Sequence, residues 1–244
     1  MRTISRPGLP VGLVRLSPTC LPVAAIATVL VLATSAGAFQ AESDRQAGTP
    51  GMLVLFDGKS LDGWKKTDFF RAGEVKVEDG TIVMAVGGSM TGITSTRRDL
   101  PRTNYELSYE AMRLAGRDFF AAATFPVGKS YVTLINGGWG GNVTGLSSLN
   151  GADASENETS RSFEYKDKTW YKFRVRVTDE VIRCLIDEKE ILAVDHSGMQ
   201  VGTRLETRAN QPLGFATWET SGAVRKVEIR MLSPAESAAT RKPD

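Results

Sequence analysis

Histidine is almost absent from this sequence, with one residue, His196, among 244. A Ser-His-Asp triad would depend on this single side chain. Its setting in residues 195–198 is typical of a turn, so we predict a solvated loop residue. The sequence has no cluster of Cys and His at zinc-binding spacing, and no phosphate-binding glycine motif precedes a helical segment. These absences argue against triad hydrolases, zinc enzymes and nucleotide-binding enzymes.

Cysteine is also scarce, and of the two residues only Cys184 lies beyond the amino-terminal 38 residues. In residues 1–38 three arginines, an apolar stretch at 21–32 and small residues at 36–38 predict a signal peptide cleaved before Phe39. We expect a secreted or periplasmic protein with no integral membrane span after cleavage, because the apolar stretch is short for a spanning helix. An uncleaved signal anchor is the alternative.

The mature chain lacks both disulfides and an excess of one charge. A single cysteine cannot form an intramolecular disulfide, and Cys184 lies on the apolar face of a predicted strand, where we expect a buried, unreactive thiol. The full chain has 30 basic and 28 acidic residues; removing the leader takes three arginines and no acids, which leaves 27 against 28. With no basic stripe, nucleic acid is not an expected partner.

Helical periodicity is missing as well, and strand periodicity takes its place. Short segments alternate apolar and polar residues in twos, for example residues 105–111 and 170–178, and Asp79-Gly80 predicts a type I′ hairpin turn. Many such strands predict an all-β, concanavalin A-like jelly-roll sandwich of two antiparallel sheets. The expected limits are a leader at 1–38, a linker at 39–51, the β domain at 52–232 and a flexible tail at 233–244.

One stretch rich in glycine, asparagine and serine, residues 136–160, shows little strand signal. Loops this long inside a compact domain are usually functional or disordered. Trp139 lies between two glycine pairs, so a binding loop and a mobile insertion both stay open. Asp153 and Asn157 offer oxygen atoms to sugar hydroxyls or to calcium. Polar loops are common, so we expect no cofactor, with calcium as the minor alternative.

Carboxylates are the remaining candidates for acid–base chemistry. Glu106 and Glu110 share one face of a predicted strand, at a separation of about 13 Å. That distance is too long for a retaining glycosidase pair and long for an inverting pair, so a two-carboxylate mechanism is poorly supported. A single-base mechanism and a solvated strand face both stay open for Glu110.

Tryptophan supplies the candidate sugar-binding surfaces, since all four residues lie in the mature chain. Exposed aromatic rings on β faces are common in ligand sites. We expect Trp139 and Trp218 to face a carbohydrate ligand. Trp64 and Trp170 are expected to pack in the core or at an end of the sandwich.

Several motifs match a known family. Residues 55–64 read Leu-Phe-Asp-Gly-Lys-Ser-Leu-Asp-Gly-Trp and open the β domain, and residues 104–110, 170–176 and 227–232 continue the match. Together they resemble the 3-keto-disaccharide hydrolase domain family over most of residues 53–232. The resemblance implies a secreted jelly roll that cleaves oxidised glycosides. The segment Gly-Arg-Asp-Phe at 116–119 replaces the Asn-Ser-Gly of many relatives.

The resemblance also favours Glu110, the one proposed catalytic position that matches. A 3-keto sugar has an acidified proton at C2, so one general base and one enolate-stabilising group suffice. We predict Glu110 as the base, with Arg113 and Arg117 as substrate-binding partners, although a regular strand would place Arg113 on the opposite face. The predicted activity is hydrolysis or elimination at glycosidic bonds of 3-keto disaccharides or glycosides. A non-catalytic, lectin-like carbohydrate-binding module is the alternative.

Overall fold

The computed structural model of the chain describes residues 51–240. The predicted leader, the linker up to residue 50 and residues 241–244 lie outside the described residues. Within 51–240 the chain is nearly all β, with one 3₁₀ helix at Arg208–Asn210 and one short α-helix, α1, at Pro234–Ala239. The strands are β1 (Met52–Val54), β2 (Trp64–Lys66), β3 (Val75–Glu78), β4 (Thr81–Met84), β5 (Met90–Ser95), β6 (Tyr105–Ala115), β7 (Ala122–Val127), β8 (Ser130–Gly138), β9 (Val143–Ser147), β10 (Arg161–Ser162), β11 (Trp170–Val177), β12 (Val181–Ile186), β13 (Lys189–Asp195), β14 (Gly214–Trp218) and β15 (Ser221–Met231).

The strands form two antiparallel sheets. The eight-stranded sheet has the order β13-β12-β11-β6-β15-β4-β3, with β1 paired to β15, and the seven-stranded sheet has the order β10-β9-β8-β7-β14-β5-β2. Neighbours distant in sequence, such as β6 and β15, give the connections of a jelly roll. The predicted all-β, two-sheet jelly-roll fold is confirmed.

The core lies between the two sheets and is built from the inward residues of the alternating strands. Tyr109 on β6 stacks on Phe173 of β11, with ring centroids 4.9 Å apart, and meets the edge of Phe215 from β14 at 4.9 Å. Trp64 is buried beside Phe215, and its Nε1–H donates to the Leu55 carbonyl oxygen at 2.7 Å. The structural role expected for Trp64 is therefore confirmed.

Cys184 also belongs to this core, with 1% of its surface exposed. Burial raises the pKa of its thiol, so the reactive thiolate form is disfavoured. The expectation of a buried cysteine is confirmed.

The hairpin turn that the sequence predicts at Asp79-Gly80 is present in the structure. Asp79 and Gly80 join β3 to β4 with φ angles of 47° and 73°, the positive values that a type I′ turn requires. Asp and Gly tolerate this region of backbone space better than most residues do.

A β-bulge in β15 places two cations on the outer face of the eight-stranded sheet. The register against β6 shifts after Arg225, and Lys226 has a φ of 51°. The extra residue lets Val224 and Val227 both lie in the core, while Arg225 and Lys226 both reach Glu110 on the outer face. Bulges commonly redirect side chains in this way.

The segment 136–160 is not a single loop, contrary to the sequence-based expectation. β8 continues to Gly138, and β9 pairs with it antiparallel. Gly145 on β9 hides the strand signal because glycine has low strand propensity. A Cβ added to Gly145 would lie 3.0 Å from the Ala154 carbonyl oxygen and 3.1 Å from that of Thr159, so the close packing of the following segment requires a glycine.

Part of the segment predicted as a flexible tail forms α1. Ser233 caps this helix: its Oγ accepts the Glu236 N–H at 3.2 Å, and a Glu236 carboxylate oxygen accepts the Ser233 N–H at 2.9 Å. This capping box stabilises a helix too short to show a period in the sequence. Among residues 51–240 no helix has the length and apolar character needed to cross a bilayer.

Candidate functional site

A pocket of about 210 Å³ lies on the outer face of the seven-stranded sheet, which we call the aromatic pocket. Three of its eight lining residues are aromatic, and three carry charge. Aromatic surface with a few convergent polar groups is characteristic of ligand sites. The lining residues are Asp118, Phe119, Ile135, Trp139, Arg204, Glu206, Thr207 and Trp218.

The wall of the pocket nearest the sheet is apolar. Ile135 of β8 points outward because its neighbour Leu134 packs between the sheets. Phe119 precedes β7, and its carbonyl oxygen accepts the Trp218 N–H at 3.0 Å, which ties the end of β14 to this segment. The rings of Phe119 and Trp218 have centroids 6.3 Å apart. The pocket thus offers a fixed aromatic surface.

Trp139 lies at the tip of the hairpin between β8 and β9. The Gly141 N–H donates to the Gly138 carbonyl oxygen at 3.2 Å, and Trp139 and Gly140 have φ angles of 49° and 93°. These are the φ signs of a type I′ turn, whose first central position favours Asn, Asp or Gly. A tryptophan there costs on the order of 1 kcal/mol. Its side chain is 43% exposed, so packing in the core does not account for a tryptophan at this position.

The opposite wall is formed by residues 204–210, which lie along the outer face of the seven-stranded sheet. Thr133 of β8 donates its hydroxyl to Thr207 Oγ1 at 3.0 Å. Asn210 is fully buried, and its Nδ2 donates to Thr67 Oγ1 at 3.0 Å and to the Ile93 carbonyl oxygen at 3.2 Å. These side-chain hydrogen bonds hold a segment without regular strand structure in a defined position.

Arg204 is the central charge of the pocket. Its guanidinium pairs with Asp153, donates to Glu206 at 3.1 and 3.3 Å, and has its central carbon 6.0 Å from the Trp139 ring centroid. The hydrogen bond from Arg204 and then backbone hydrogen bonding lower the pKa of Glu206. The pocket therefore holds a permanent cation, with Glu206 ionised beside it.

Asp118 is the second carboxylate of the pocket, and its surroundings differ from those of Glu206. Its Oδ1 accepts the Phe119 N–H at 2.8 Å, and its Oδ2 accepts the Gly140 N–H at 3.3 Å. Within the described residues no Lys or Arg forms an ion pair with it. Backbone hydrogen bonds thus fix the orientation of Asp118, whereas Glu206 is held by an ion pair with Arg204.

The structure brings together some of the residues predicted from the sequence. Trp139 and Trp218 both line the aromatic pocket, and Asp153 contacts it through Arg204. Asn157 instead stabilises its own loop: its Nδ2 donates to the Leu146 carbonyl oxygen at 2.7 Å, and its Oδ1 accepts the Thr159 hydroxyl at 2.6 Å. Its role is structural in this arrangement.

Arg113 and Arg117 line a different space, which we call the arginine cavity, of about 330 Å³. Arg113 is nearly buried, where its Nε donates to Asp167 at 2.5 Å and its Nη2 to the Tyr165 carbonyl oxygen at 2.6 Å. Adjacent residues of one turn line the two spaces: Trp139 lines the aromatic pocket, and Gly140 lines this cavity. The lining residues are Arg113, Arg117, Gly140, Gly141, Asn142, Glu164 and Tyr165.

Glu110 lies on the other side of the sandwich. It alternates with Tyr109 and Ala111, which are buried between the sheets, so it points outward from the eight-stranded sheet. Its carboxylate accepts Arg225 Nε and Lys226 Nζ, each at 2.7 Å. Partial burial acts to raise the pKa of Glu110, but the hydrogen bonds from Lys226 and Arg225 outweigh it and lower the pKa.

The geometry therefore does not support Glu110 as the base predicted from the sequence. It lines neither the aromatic pocket nor the arginine cavity, and two cations stabilise its ionised form at the expense of its basicity. β6 pairs regularly with β11 from Tyr105 to Met112, so no bulge turns Arg113 towards Glu110. The two side chains remain on opposite faces.

Trp170 occupies the same outer face as Glu110. It is half-buried, and the Arg225 guanidinium carbon lies 3.9 Å from its ring centroid. The ring and the cation form a contact that helps to fix Arg225 against Glu110. Trp170 thus has a structural role, on the sheet surface rather than in the core.

Sequence reasoning missed Asp118, Phe119, Arg204, Glu206 and Thr207. Arg204 and Glu206 lie in a turn in which the Thr207 N–H donates to the Arg204 carbonyl oxygen at 3.2 Å, and no periodic pattern in the sequence marks it. Leu205 between them is 75% exposed. Among the residues that the structure describes, no group of three or more His, Cys, Asp or Glu is placed to hold a metal ion.

The jelly-roll fold, the aromatic pocket and the family match together place the chain among carbohydrate-active domains, a class that includes glycosidase-like enzymes and carbohydrate-binding modules. The chain matches the model of the 3-keto-alpha-glucoside-1,2-lyase-like domain over residues 51–230 and belongs to this family. No curated protein matches it significantly.

Two solved structures are similar in fold. The Crh5 transglycosylase in complex with NAG is 15% identical, with a TM-score of 0.53, and the match covers 76% of this chain and 86% of that chain. Domain 4 of AbnA, a GH43 extracellular arabinanase from Geobacillus stearothermophilus, in complex with arabinotriose, is 16% identical, with a TM-score of 0.50, and the match covers 78% of this chain and 96% of that chain. At these identities the similarity shows the fold alone.

Proposed function

We propose that this chain is an exported lyase or hydrolase that cleaves the glycosidic bond of 3-keto glycosides, with the oxidised sugar ring in the aromatic pocket. Membership of the 3-keto-alpha-glucoside-1,2-lyase-like family supports the substrate class. The observation that carries the proposal is the composition of the pocket: the Asp118 carboxylate, which forms no ion pair within residues 51–240, the Arg204 cation, and two tryptophans. These are the parts that elimination on a keto sugar needs.

The chemistry requires one base and one cation. The base takes the C2 proton, and the C–H electron pair forms an enolate whose negative charge develops on the C3 oxygen. The enolate then collapses to a C1=C2 double bond, the C1–O bond breaks, and the departing oxygen takes up a proton. Addition of water across the double bond gives the free keto sugar. Arg204 stabilises the enolate oxygen in a site partly shielded from water.

Asp118 is the carboxylate best suited to be the base. Glu206 shares its charge with Arg204, which lowers its pKa, and Glu110 is paired with Arg225 and Lys226 away from the pocket. Asp118 accepts two backbone N–H groups, which fix its orientation. Glu206 and Asp153 hold Arg204 in place and act as positioning residues.

The test compares two isosteric substitutions, Asp118→Asn and Glu110→Gln, in the rate of cleavage of a 3-keto glucoside. General-base catalysis contributes roughly 10²- to 10⁴-fold, so Asp118→Asn should lose at least about 10²-fold in rate. Glu110→Gln should retain nearly the full rate. Circular dichroism of both variants controls for folding. Full activity in Asp118→Asn, or loss of activity only in Glu110→Gln, would refute Asp118 as the base.

A non-catalytic sugar-binding module is the second candidate. The observation that favours it is that Arg204, beside Trp139, is paired with both Glu206 and Asp153. Charged groups that are already paired can hydrogen-bond sugar hydroxyl groups without transferring a proton. A wild-type protein that binds glucosides and 3-keto glucosides but cleaves neither would establish this function instead.

A further inference from the structure

Apolar side chains continue beyond Trp218 along the outer face of the seven-stranded sheet. Trp218 at the end of β14 is directly opposite Met90 of β5, so the two side chains lie side by side on the outer face of the seven-stranded sheet. Met90 is 5% exposed, which shows that neighbouring side chains cover it. The next outward position on β5 is Gly92, because Ile93 after it packs between the sheets.

Phe69 lies against the sheet at Gly92. A Cβ added to Gly92 would be 2.8 Å from Phe69 Cε2 and 3.2 Å from Asn210 Nδ2, so the ring and the amide lie on the outer face there. Trp218, Met90 and Phe69 therefore form one apolar row that leads away from the pocket. The segment that provides Arg204, Glu206 and Thr207 to the pocket reaches Asn210 beside this row.

Phe70 follows Phe69 in the chain and is 85% exposed. It lies in a turn in which the Ala72 N–H donates to the Phe69 carbonyl oxygen at 3.2 Å, and Arg71 has a φ of 52°. The Arg71 carbonyl oxygen accepts the Gly88 N–H at 2.8 Å, which anchors the turn to the chain before β5. A phenylalanine displayed on an anchored turn loses little conformational freedom on binding.

We propose that this row extends the sugar-binding surface and that the ligand is an oligosaccharide, with one ring in the aromatic pocket and further rings on Phe69 and Phe70. The inference rests on the proposed function, because the pocket must hold a sugar. From β8 to β2 the seven-stranded sheet has four strand spacings, or about 19 Å, which is longer than a disaccharide. The Arg71 guanidinium carbon lies 5.5 Å from the Phe70 ring centroid and supplies donors beside the ring.

The test uses the exported protein and α-linked gluco-oligosaccharides from the disaccharide to the hexasaccharide, with affinities from isothermal titration calorimetry. Affinity should rise with chain length in the wild type. Phe70→Ala should lose roughly tenfold for the long ligands and nothing for the disaccharide. Met231→Ala is the matched control, because Met231 is an exposed apolar residue on the eight-stranded sheet and should change no affinity.

Trp139→Ala separates failure of this inference from failure of the proposed function. If Trp139→Ala weakens every ligand while Phe70→Ala behaves like Met231→Ala, the pocket binds sugar and the extension is wrong. Equal affinity for all lengths in the wild type would also overturn the extension. If no oligosaccharide binds, the extension is overturned, while the proposed function is decided separately by cleavage of the 3-keto glucoside. If the oligosaccharides bind and Trp139→Ala changes no affinity, both the extension and the sugar-binding pocket are refuted.

Discussion

Two buried tyrosines of β6 differ in whether the hydroxyl group forms a hydrogen bond. The Tyr105 hydroxyl donates to the Pro126 carbonyl oxygen at 2.7 Å, whereas the Tyr109 hydroxyl, equally buried, has no hydrogen-bond partner within residues 51–240. An unsatisfied buried hydroxyl costs about 1–3 kcal/mol, and a satisfied one contributes about 1 kcal/mol.

We therefore predict opposite effects of removing the two hydroxyls. Tyr109→Phe should leave the free energy of unfolding unchanged or raise it by about 1 kcal/mol, while Tyr105→Phe should lower it by about 1 kcal/mol. Urea denaturation of both variants measures this. An equal loss of stability in the two variants would contradict the assignment of Tyr109 as unsatisfied.

Glu110 leads to a prediction about how the stability of the protein depends on pH. Its pKa in the folded protein lies below its ordinary value of 4.5 because Lys226 and Arg225 outweigh burial. A carboxylate with a lowered pKa stabilises the fold above its unfolded-state pKa, and this contribution disappears as the pH falls through the folded-state pKa. Glu110→Gln should therefore cost about 1 kcal/mol at neutral pH and progressively less below about pH 4.5.

Thermal unfolding of the wild type and of Glu110→Gln across this pH range tests the prediction. The control is Glu78→Gln, because Glu78 forms an exposed ion pair with Lys76 and should contribute little at any pH. A constant difference between wild type and Glu110→Gln from neutral to acidic pH would show that the ion pairs with Arg225 and Lys226 do not stabilise the fold.

Single residues were predictable where chemistry and local context agreed. Trp139 and Trp218 were assigned to the ligand side from exposure among glycines and from aromatic character, and both line the pocket. Glu110 was assigned by its polar strand face, but that face belongs to the sheet opposite the pocket. Strand alternation gives two faces without saying which one binds a ligand, so the packing of the two sheets was needed.

The hairpin between β8 and β9 carries a residue that its turn conformation does not favour. Trp139 occupies a turn position with a φ of 49°, where asparagine would relieve strain. Trp139→Asn should raise the free energy of unfolding by about 1 kcal/mol and should abolish the ring contact with sugar.

Calorimetric unfolding and glycan binding, measured on the same Trp139→Asn preparation, test the two halves of this prediction. Trp139→Ala is the control, since alanine removes the ring without gaining the turn preference of asparagine. Lower stability in Trp139→Asn than in Trp139→Ala would contradict the turn assignment.

Elements with strong periodicity were predictable, and elements held by tertiary contacts were not. β6, β11 and the hairpin of β3 and β4 follow alternation and turn residues that are visible in the sequence. β9 was missed because Gly145 weakens its pattern. Residues 204–210 depend on hydrogen bonds from Thr133 and from Asn210 to distant strands, which no local pattern encodes.

For the whole molecule, the two-sheet jelly roll was predictable because many short alternating strands without helical period leave few other architectures. The position of the site was not, because it depends on which sheet carries the additional segments on its outer face. The segment 204–210 covers part of the seven-stranded sheet and creates the pocket there.

The signal peptide that the sequence predicts gives a separate prediction for the whole chain. The mature protein should begin near Phe39, because small residues at 36 and 38 fit a signal-peptidase site. Intact-mass analysis of exported protein should show a chain without residues 1–38. A mass that includes them would favour a signal anchor.

The central claim is that sugar binds in the aromatic pocket on the seven-stranded sheet. The most direct measurement is a crystal structure of Asp118→Asn soaked with a 3-keto glucoside, since this variant should bind the ligand without cleaving it. We predict electron density for the sugar ring between Trp139 and Trp218, with its keto oxygen facing Arg204. Density beside Glu110 on the outer face of the eight-stranded sheet, with the aromatic pocket empty of sugar, would contradict the claim.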